Sequence, residues 1–230
     1  LGSFPFLVLA QMNISNFSSL LRDHQIRLFL YILISAITLV FYFARPYVEG
    51  NYLEQLSIIS FNTISIISGT GYVSNNFENW GNYASVLFLL LMFIGGCAGS
   101  TTGGLKIFRF QILFKYIHLH LKKMLQPHIV MTAQFNGKNV NDSTFESVVI
   151  FFFVYILTFA MSALFLSFSG LDFLTCISAA ASSISNVGPG LGEIIGPDGN
   201  YSSLSNYSKL ILIITMFLGR LEMLTIFVLI

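Results

Sequence analysis

The sequence predicts an all-α integral membrane protein with two parallel copies of a helix–re-entrant loop–helix unit, in which the second helix of the first copy is broken. Of the 230 residues, 55% are hydrophobic and only 9% are charged, whereas about 25% are charged in an ordinary soluble domain. Long charge-free apolar runs alternate with charge-free runs that are rich in Ser, Thr, Asn and Gly. This alternation occurs twice along the chain, which predicts the two units.

Charge-free apolar runs predict the membrane-spanning helices. A span needs roughly 17–25 residues, and three runs approach or exceed that length: residues 28–44, 79–105 and 147–171. A fourth span is expected over residues 209–230, where Arg220 and Glu222 interrupt an otherwise apolar run. Residues 1–10 are expected to be the end of a preceding span.

Two polar charge-free runs predict segments that enter the membrane without crossing it. Residues 55–77 and 173–192 are rich in Ser, Thr, Asn and Gly, so either would be a poor anchor in lipid. Non-helical backbone at membrane depth is tolerated only where protein or a water-filled path surrounds it. We therefore expect each run to form a short helix followed by a non-helical return inside the bundle.

Matching positions in the two runs support the repeat. Glu54 lies 17 residues before Gly71, and Asp172 lies 16 residues before Gly188. A carboxylate in the first turn of a helix is stabilised by the helix dipole, so each acid is expected to begin a short helix. Each glycine is expected just past the end of that helix. Each unit has two spans and returns the chain to its starting side, so the copies are parallel.

The distribution of charge predicts the orientation. Eight of the eleven Lys and Arg residues lie before the first unit or between the units, and the positive-inside rule places that side in the cytoplasm. The re-entrant segments then enter from outside, beneath an acidic mouth that would concentrate cations. The alternative is that these acids are ordinary solvated loop residues. They are Glu49, Glu54, Glu78, Asp172, Glu193 and Asp198.

Two glycine-containing loops are the first candidates for function. Residues 68–72 (SGTGY) are called the first re-entrant loop below, and residues 186–190 (NVGPG) the second. Each follows a short helix whose C-terminal end carries partial negative charge. Glycine permits positive φ, so successive carbonyl oxygens can face one axis and replace the hydration shell of a cation. The alternative is a pair of ordinary loops at helix ends, but their matching places in a repeat favour a cation site.

A glycine-rich segment, residues 95–104 (GGCAGSTTGG), interrupts one apolar run. Five glycines in ten residues weaken a helix, because each costs about 1 kcal/mol relative to alanine. The sequence therefore predicts a span broken by a flexible polar loop that borders a water path. The alternative is close helix packing through small residues. A phosphate-binding loop is not expected, since no G-K-[ST] is present.

Arg220 lies inside the last expected span, where a charged side chain costs at least about 2.5–3.5 kcal/mol. Such side chains usually face the interior of a helix bundle. We expect Arg220 to contact backbone carbonyl or hydroxyl groups of the glycine-rich segment, because Glu222 points to a different face of the helix. The alternative is that Arg220 extends to the cytoplasmic surface.

No catalytic chemistry is predicted. The aspartates lie at span boundaries or in loops, so an intramembrane enzyme is not expected. Cys97 and Cys176 lie in apolar runs, which gives no disulfide framework, and the four histidines are expected at surfaces. Residues 105–124 are expected to be an amphipathic helix along or below the membrane surface. The Asn136-Gly137 pair predicts a hairpin turn. No covalently bound cofactor and no nucleic-acid partner are expected.

Together these motifs resemble the Trk/Ktr-type bacterial potassium uptake proteins, and most closely their TrkH/TrkG membrane subunits. The resemblance covers nearly all of the chain. It rests on TGY in the first re-entrant loop, GGCAGSTTGGLKIFR at residues 95–109, SNVGPGLG at residues 185–192 and LGRLE at residues 218–222. In that family four helix–pore-loop–helix units form a potassium-channel-like fold around one pore. This chain is then expected to hold the third and fourth units.

The resemblance also implies roles for particular residues. The expected ion filter comprises Thr70, Gly71, Tyr72, Asn186, Val187 and Gly188. Potassium, the transported substrate, would be coordinated mainly by backbone carbonyl oxygens of Thr70, Gly71, Asn186, Val187 and Gly188. The expected intramembrane gate comprises Gly95, Gly96, Gly99, Ser100, Thr101, Thr102, Gly103, Gly104 and Arg220.

Further expectations follow from the family. Its members are multi-pass proteins of the bacterial inner membrane, form homodimers and assemble with a cytoplasmic nucleotide-binding regulatory subunit similar to TrkA. Neither loop here has the complete TVGYG of potassium channels, so cation selectivity is a firmer expectation than preference for potassium over sodium. Two loops cannot surround an ion. The chain is therefore expected to be a fragment that needs the N-terminal half of the same transporter, or a second copy, to conduct.

The expected organisation divides the chain into four parts. Residues 1–27 would be the end of a preceding helix and a cytoplasmic linker, and residues 28–125 the third unit with a cytoplasmic helical extension. Residues 126–145 would be a cytoplasmic connector, and residues 146–230 the fourth unit. Two alternatives to a potassium pathway remain: a secondary transporter with re-entrant loops that binds an organic substrate, and a truncated, non-conducting membrane subunit.

Overall fold

The structure is a computed structural model that describes residues 2–5, 23–126, 134–135, 138–139 and 142–220. Seven α-helices lie within these ranges: α1 His24–Ala44, α2 Tyr52–Ile67, α3 Asn82–Phe93, α4 Ile107–Leu125, α5 Asp142–Ser167, α6 Phe173–Ser185 and α7 Asn206–Arg220. Three short 3-10 turns accompany them: Arg45–Tyr47, Phe77–Trp80 and Tyr201–Ser203. Two strands, β1 Gln134–Phe135 and β2 Lys138–Asn139, lie between α4 and α5.

The long helices present apolar surface to the outside. In the described part of the chain, two helical segments are long and apolar enough to cross a membrane, namely His24–Tyr47 and Ser143–Ser167. On α5 the large apolar side chains of Phe153, Ile156 and Leu164 are each more than half exposed. A helix that is apolar on its outward face is typical of contact with lipid.

The polar short helix lies inside. Five of the thirteen residues of α6 are Ser or Thr, yet nearly all of the helix is buried. It packs against α5 and α7, and also against α3 of the first unit. Side-chain hydrogen bonds satisfy buried hydroxyls between helices, such as Tyr155 to Ser185 at 2.7 Å and Ser162 to Thr215 at 2.7 Å. The Ser and Thr side chains of α6 therefore lie inside, whereas the long helices also expose apolar side chains.

Each short helix starts with the acid expected from the sequence. The Asn51 backbone N–H donates to the Glu54 carboxylate at 3.0 Å, which forms a capping box at the start of α2. Asp172 is the N-cap of α6 and accepts from the backbone N–H of Thr175 at 3.2 Å. Both acids stabilise free N–H groups of a first helical turn. The predicted starts of the short helices are confirmed.

The apolar run 79–105 contains only a short helix. α3 ends at Phe93, and the chain returns so that Leu105 lies beside Ile94 in an isolated parallel bridge. The Leu105 N–H donates to the Phe93 carbonyl at 2.9 Å. α4 then leads away and packs on α5, where the Arg109 guanidinium lies 3.6 Å from the ring centroid of Phe151. The glycine-rich segment is therefore a loop between two helices.

The connector contains the strands expected around the hairpin turn. β1 and β2 are antiparallel with Gln134 opposite Asn139 and Phe135 opposite Lys138. This register leaves two residues between the strands, and the Asn136-Gly137 turn itself lies outside the described residues. Most of residues 1–10 also lie outside them. Residues 2–5 are described and form a turn, not a helix.

Candidate functional site

The two re-entrant loops meet backbone to backbone. A Cβ atom on Gly71 would overlap the Val187 carbonyl oxygen, and one on Gly188 would lie 3.8 Å from the Gly71 Cα. Both glycines have positive φ, +76° at Gly71 and +118° at Gly188. At Gly71 only glycine combines this conformation with so close an approach, whereas at Gly188 the positive φ alone favours glycine. The sequence-predicted filter glycines are therefore neighbours in space.

The first re-entrant loop is held by the end of its own short helix. The backbone N–H groups of Thr70 and Gly71 both donate to the Ser65 carbonyl, at 2.9 and 3.3 Å. In a trans peptide the C=O points opposite to the N–H of the next residue. The carbonyls of Gly69 and Thr70 therefore point away from α2. Thr70 is exposed, and the Tyr72 side chain is 72% exposed.

The second re-entrant loop is held in the same way. Asn186 ends α6 in the left-handed conformation (φ 54°), and the N–H of Val187 donates to the Ser182 carbonyl at 3.0 Å. The N–H of Gly188 donates to the Ser182 hydroxyl at 3.0 Å. The carbonyls of Asn186 and Val187 therefore point away from α6, and that of Val187 points toward Gly71.

One predicted ligand has an additional partner. The Gly188 carbonyl accepts a hydrogen bond from the Tyr201 hydroxyl at 2.8 Å. A carbonyl oxygen has two lone pairs, so one remains for another partner. The Asn186 side chain points elsewhere, because its amide donates to the Met216 carbonyl of α7 at 3.2 Å. Asn186 thus contributes its backbone, not its side chain, to the loop surface.

The glycine-rich segment lies directly against this pair of loops. A Cβ atom on Gly69 would lie 3.9 Å from the Asn186 carbonyl oxygen and 4.0 Å from the Gly103 nitrogen. A Cβ atom on Gly103 would overlap the Ser185 carbonyl at the end of α6. Within the segment, Gly96 N–H donates to the Thr102 hydroxyl at 2.8 Å. Three loops from separate parts of the chain therefore converge.

Arg220 lies where the three loops converge. Its guanidinium donates to the Thr101 carbonyl at 2.9 Å, which is the contact that the sequence predicts. A cavity of about 370 Å³ lies between the first re-entrant loop and the glycine-rich segment, and Thr70, Thr102 and Arg220 are among the residues that line it. Glu222 lies outside the described residues.

Comparison with known proteins identifies the family. A model of the TrkH family, described as cation transport protein, matches residues 6–230. The chain belongs to the TrkH family. The family resemblance drawn from the sequence motifs is thereby confirmed. The TrkH family is one of membrane cation transporters and not of enzymes.

Several TrkH-family relatives are similar over most of this chain. The potassium uptake protein TrkI of Halomonas elongata is 39% identical over 99% of the chain and 46% of its own length. TrkH of Escherichia coli K12 is 33% identical over 90% of the chain and 43% of its own length. The crystal structure of the potassium transporter TrkH from Vibrio parahaemolyticus has a TM-score of 0.87 at 29% identity, and the match covers this whole chain and 49% of that one. The chain thus spans less than half the length of these relatives.

Contacts outside the loops join the two predicted units of this TrkH-family chain. The Glu78 carboxylate, after the first re-entrant loop, accepts a hydrogen bond from the backbone N–H of Gly192, after the second. Asn76 donates to the Asp198 carboxylate. The sequence indicates Glu78 and Asp198 as acids of the mouth but gives no signal of these contacts, because the partners are more than 100 residues apart.

Proposed function

We propose that this chain supplies two of the four filter loops of a potassium pathway in the bacterial inner membrane. The observation that carries the proposal is the backbone contact between the two re-entrant loops at Gly71 and Val187. Each loop has its N–H groups fixed to its own short helix. Outward-pointing carbonyls at the negative end of a helix dipole are suited to replace the hydration shell of a cation.

The filter consists of backbone carbonyl oxygens of Thr70, Gly71, Asn186, Val187 and Gly188, with Tyr72 beside them. The Val187 carbonyl supports this most directly, because it points from one loop toward the other. The Gly188 carbonyl differs from the rest, since Tyr201 already occupies one of its lone pairs. Potassium is the transported substrate, in keeping with the names of the relatives.

The gate consists of the glycine-rich segment and Arg220. Its residues are Gly95, Gly96, Gly99, Ser100, Thr101, Thr102, Gly103, Gly104 and Arg220. Support comes from the cavity between this segment and the first re-entrant loop. A loop with few side chains beside such a cavity can block or clear a path through a small backbone shift, and Arg220 holds it at the Thr101 carbonyl.

The complete transporter supplies what this chain lacks. Residues 28–125 and 146–230 are the third and fourth helix–pore-loop–helix units of a multi-pass protein surrounded by lipid, and an N-terminal half brings the first two. Residues 1–27 are the end of a preceding transmembrane helix and a cytoplasmic linker, and residues 126–145 are a cytoplasmic connector. The complete protein forms a homodimer and binds a cytoplasmic nucleotide-binding subunit similar to TrkA. The share of each relative that the chain covers supports the presence of an N-terminal half.

The test is growth of potassium-uptake-deficient bacteria at low potassium. Cells expressing the complete transporter should grow, whereas Gly71→Asp and Gly188→Asp should abolish growth, because a side chain at Gly71 overlaps the Val187 carbonyl and a carboxylate at Gly188 would lie beside the proposed filter oxygens. Gly170→Asp is the matched control, since Gly170 also has positive φ (+73°) but open space around its Cβ position. If both filter variants support growth as well as the unmodified protein, the filter assignment is wrong.

A further inference from the structure

Each short helix carries one buried polar side chain that bonds the chain returning from its re-entrant loop. On α2, the Asn62 amide donates to the Ser74 hydroxyl at 2.9 Å, and the Ser74 N–H donates to the Asn62 carbonyl oxygen at 3.1 Å. On α6, the Ser178 hydroxyl donates to the Leu191 carbonyl at 3.0 Å and accepts from the Leu191 N–H at 2.8 Å. In both cases two hydrogen bonds join one helix residue to one residue of the chain that follows the re-entrant loop.

The two pairs occupy equivalent places in the two units. Ser74 lies three residues after Gly71, and Leu191 lies three residues after Gly188. In each unit the backbone N–H of this third residue is the bonded donor. The acceptors, Asn62 and Ser178, differ in chemistry but lie nine residues before Gly71 and ten residues before Gly188. The two pairs correspond in position and in hydrogen bonding but not in residue type, so a comparison of the two sequences would miss them.

Burial makes these hydrogen bonds costly to break. Asn62 and Ser178 are both 0% exposed. A buried donor or acceptor left without a partner costs the full desolvation penalty of that group, so the bonds resist opening. The second amide hydrogen of Asn62 is also used, because it donates to the Ile58 carbonyl at 2.9 Å. The amide is therefore fixed in orientation as well as in place.

We propose that Asn62 and Ser178 are positioning residues that set the spacing of the filter oxygens and so discriminate potassium from sodium. This rests on the proposed function. Each re-entrant loop is fixed at its start by carbonyls of its short helix and at its return by Asn62 or Ser178. A loop held at both ends keeps its carbonyls from moving inward. Sodium is smaller than potassium and needs that inward movement to be coordinated equally well.

The experiment measures ion preference in the complete transporter. Initial rates of rubidium or potassium uptake are recorded against sodium as competitor, together with KM, the maximal rate and the amount of protein in the membrane. Asn62→Ala and Ser178→Ala should each lower the preference for potassium over sodium about tenfold, the effect of losing roughly one buried hydrogen bond. The maximal rate per transporter should change little.

Two further variants serve as controls. Thr63→Val alters a neighbour of Asn62 that is also 0% exposed but whose hydroxyl bonds only the Ile59 carbonyl of its own helix among the contacts described. It should retain the original preference. Ser74→Ala removes one of the two bonds to Asn62 at an exposed position, so folding is not at risk. It should lower the preference in the same direction but by less.

The possible results separate this proposal from the proposed function. Unchanged ion preference in Asn62→Ala and Ser178→Ala, or an equal loss in Thr63→Val, overturns the positioning role even if Gly71→Asp abolishes uptake. If Asn62→Ala does not reach the membrane, Ser74→Ala tests the first loop in its place. An unchanged preference for potassium over sodium in Ser74→Ala then overturns the proposal. If the unmodified complete transporter takes up no potassium, the proposed function itself fails.

Discussion

At the scale of single residues, the end of α6 organises the site. Carbonyl oxygens of Ile184, Ser185 and Val187 each lie where a Cβ atom would otherwise be, on three glycines from different parts of the chain. These glycines are Gly219 of α7, Gly103 of the glycine-rich segment and Gly71 of the first re-entrant loop. Close approach, more than backbone conformation, therefore explains why glycine occupies Gly103 and Gly219, neither of which has positive φ.

Arg220 acts at the same scale. Replacing Arg220 by alanine removes a charged donor from the Thr101 carbonyl, and hydrogen bonds to charged groups contribute about 1.5–3 kcal/mol. If the bond holds the gate closed, Arg220→Ala should raise potassium flux several-fold in uptake or liposome assays. The variant also removes a positive charge beside the proposed cation path, which acts in the same direction.

Lys209→Ala is the matched control for Arg220. Lys209 is a second cation on α7, but its ammonium donates to the Ser202 carbonyl at 2.7 Å, away from the glycine-rich segment. Lys209→Ala should leave potassium flux unchanged. Equal flux and equal regulation in Arg220→Ala and the unmodified transporter would mean that Arg220 only extends toward the membrane surface and is not part of a gate.

At the scale of elements, the sequence predicts most helix positions because charges mark their ends. Glu54 and Asp172 begin the two short helices, as the helix dipole favours. The glycine-dense residues 95–104 lie between the end of α3 at Phe93 and the start of α4 at Ile107. The path of the loop is not predictable in this way. It depends on a parallel bridge between Ile94 and Leu105, two residues that look like ordinary members of an apolar helix.

The packing of α6 on α7 gives a prediction at this scale. Alanine is favoured over glycine in a helix by about 1 kcal/mol, so Gly219→Ala would stabilise an isolated α7. Here the added Cβ would overlap the Ile184 carbonyl, and such overpacking costs about 1–3 kcal/mol. The clash should outweigh the gain in helix propensity, because the Ile184 carbonyl belongs to the backbone and cannot rotate away as a side chain can. We expect a lower Tm for the detergent-solubilised complete transporter.

Ile213→Ala serves as the comparison for Gly219→Ala. Ile213 is an exposed residue of α7, so its truncation creates no cavity and should leave Tm close to the original value. A Tm for Gly219→Ala that equals or exceeds that of the unmodified protein would show that α7 can shift away from α6 at no cost. The tight contact would then not be required for stability.

At the scale of the whole molecule, composition predicts the environment but not the contacts between units. A chain with 9% charged residues must place apolar side chains outward, and α5 does so. The polar helix α6 is largely buried, as expected for a polar segment that cannot face lipid. The contacts between Glu78 and Gly192 and between Gly71 and Val187 join residues more than 100 positions apart. No local pattern encodes them, and only the assembled fold brings them together.

The last prediction concerns the proposed filter, which the residues of this chain enclose only in part. Thr70 and Gly188 are exposed although filter oxygens must be screened from bulk water to replace a hydration shell. The chain also spans less than half the length of TrkI and TrkH. We therefore expect residues 1–230, expressed alone in uptake-deficient bacteria, to reach the membrane without supporting growth at low potassium.

Co-expression with the remaining part of the transporter should restore growth, because separate halves of a helical membrane protein can associate through interhelical packing. Growth with residues 1–230 alone would mean that two copies complete a filter between them, and the four-unit arrangement within one chain would be wrong.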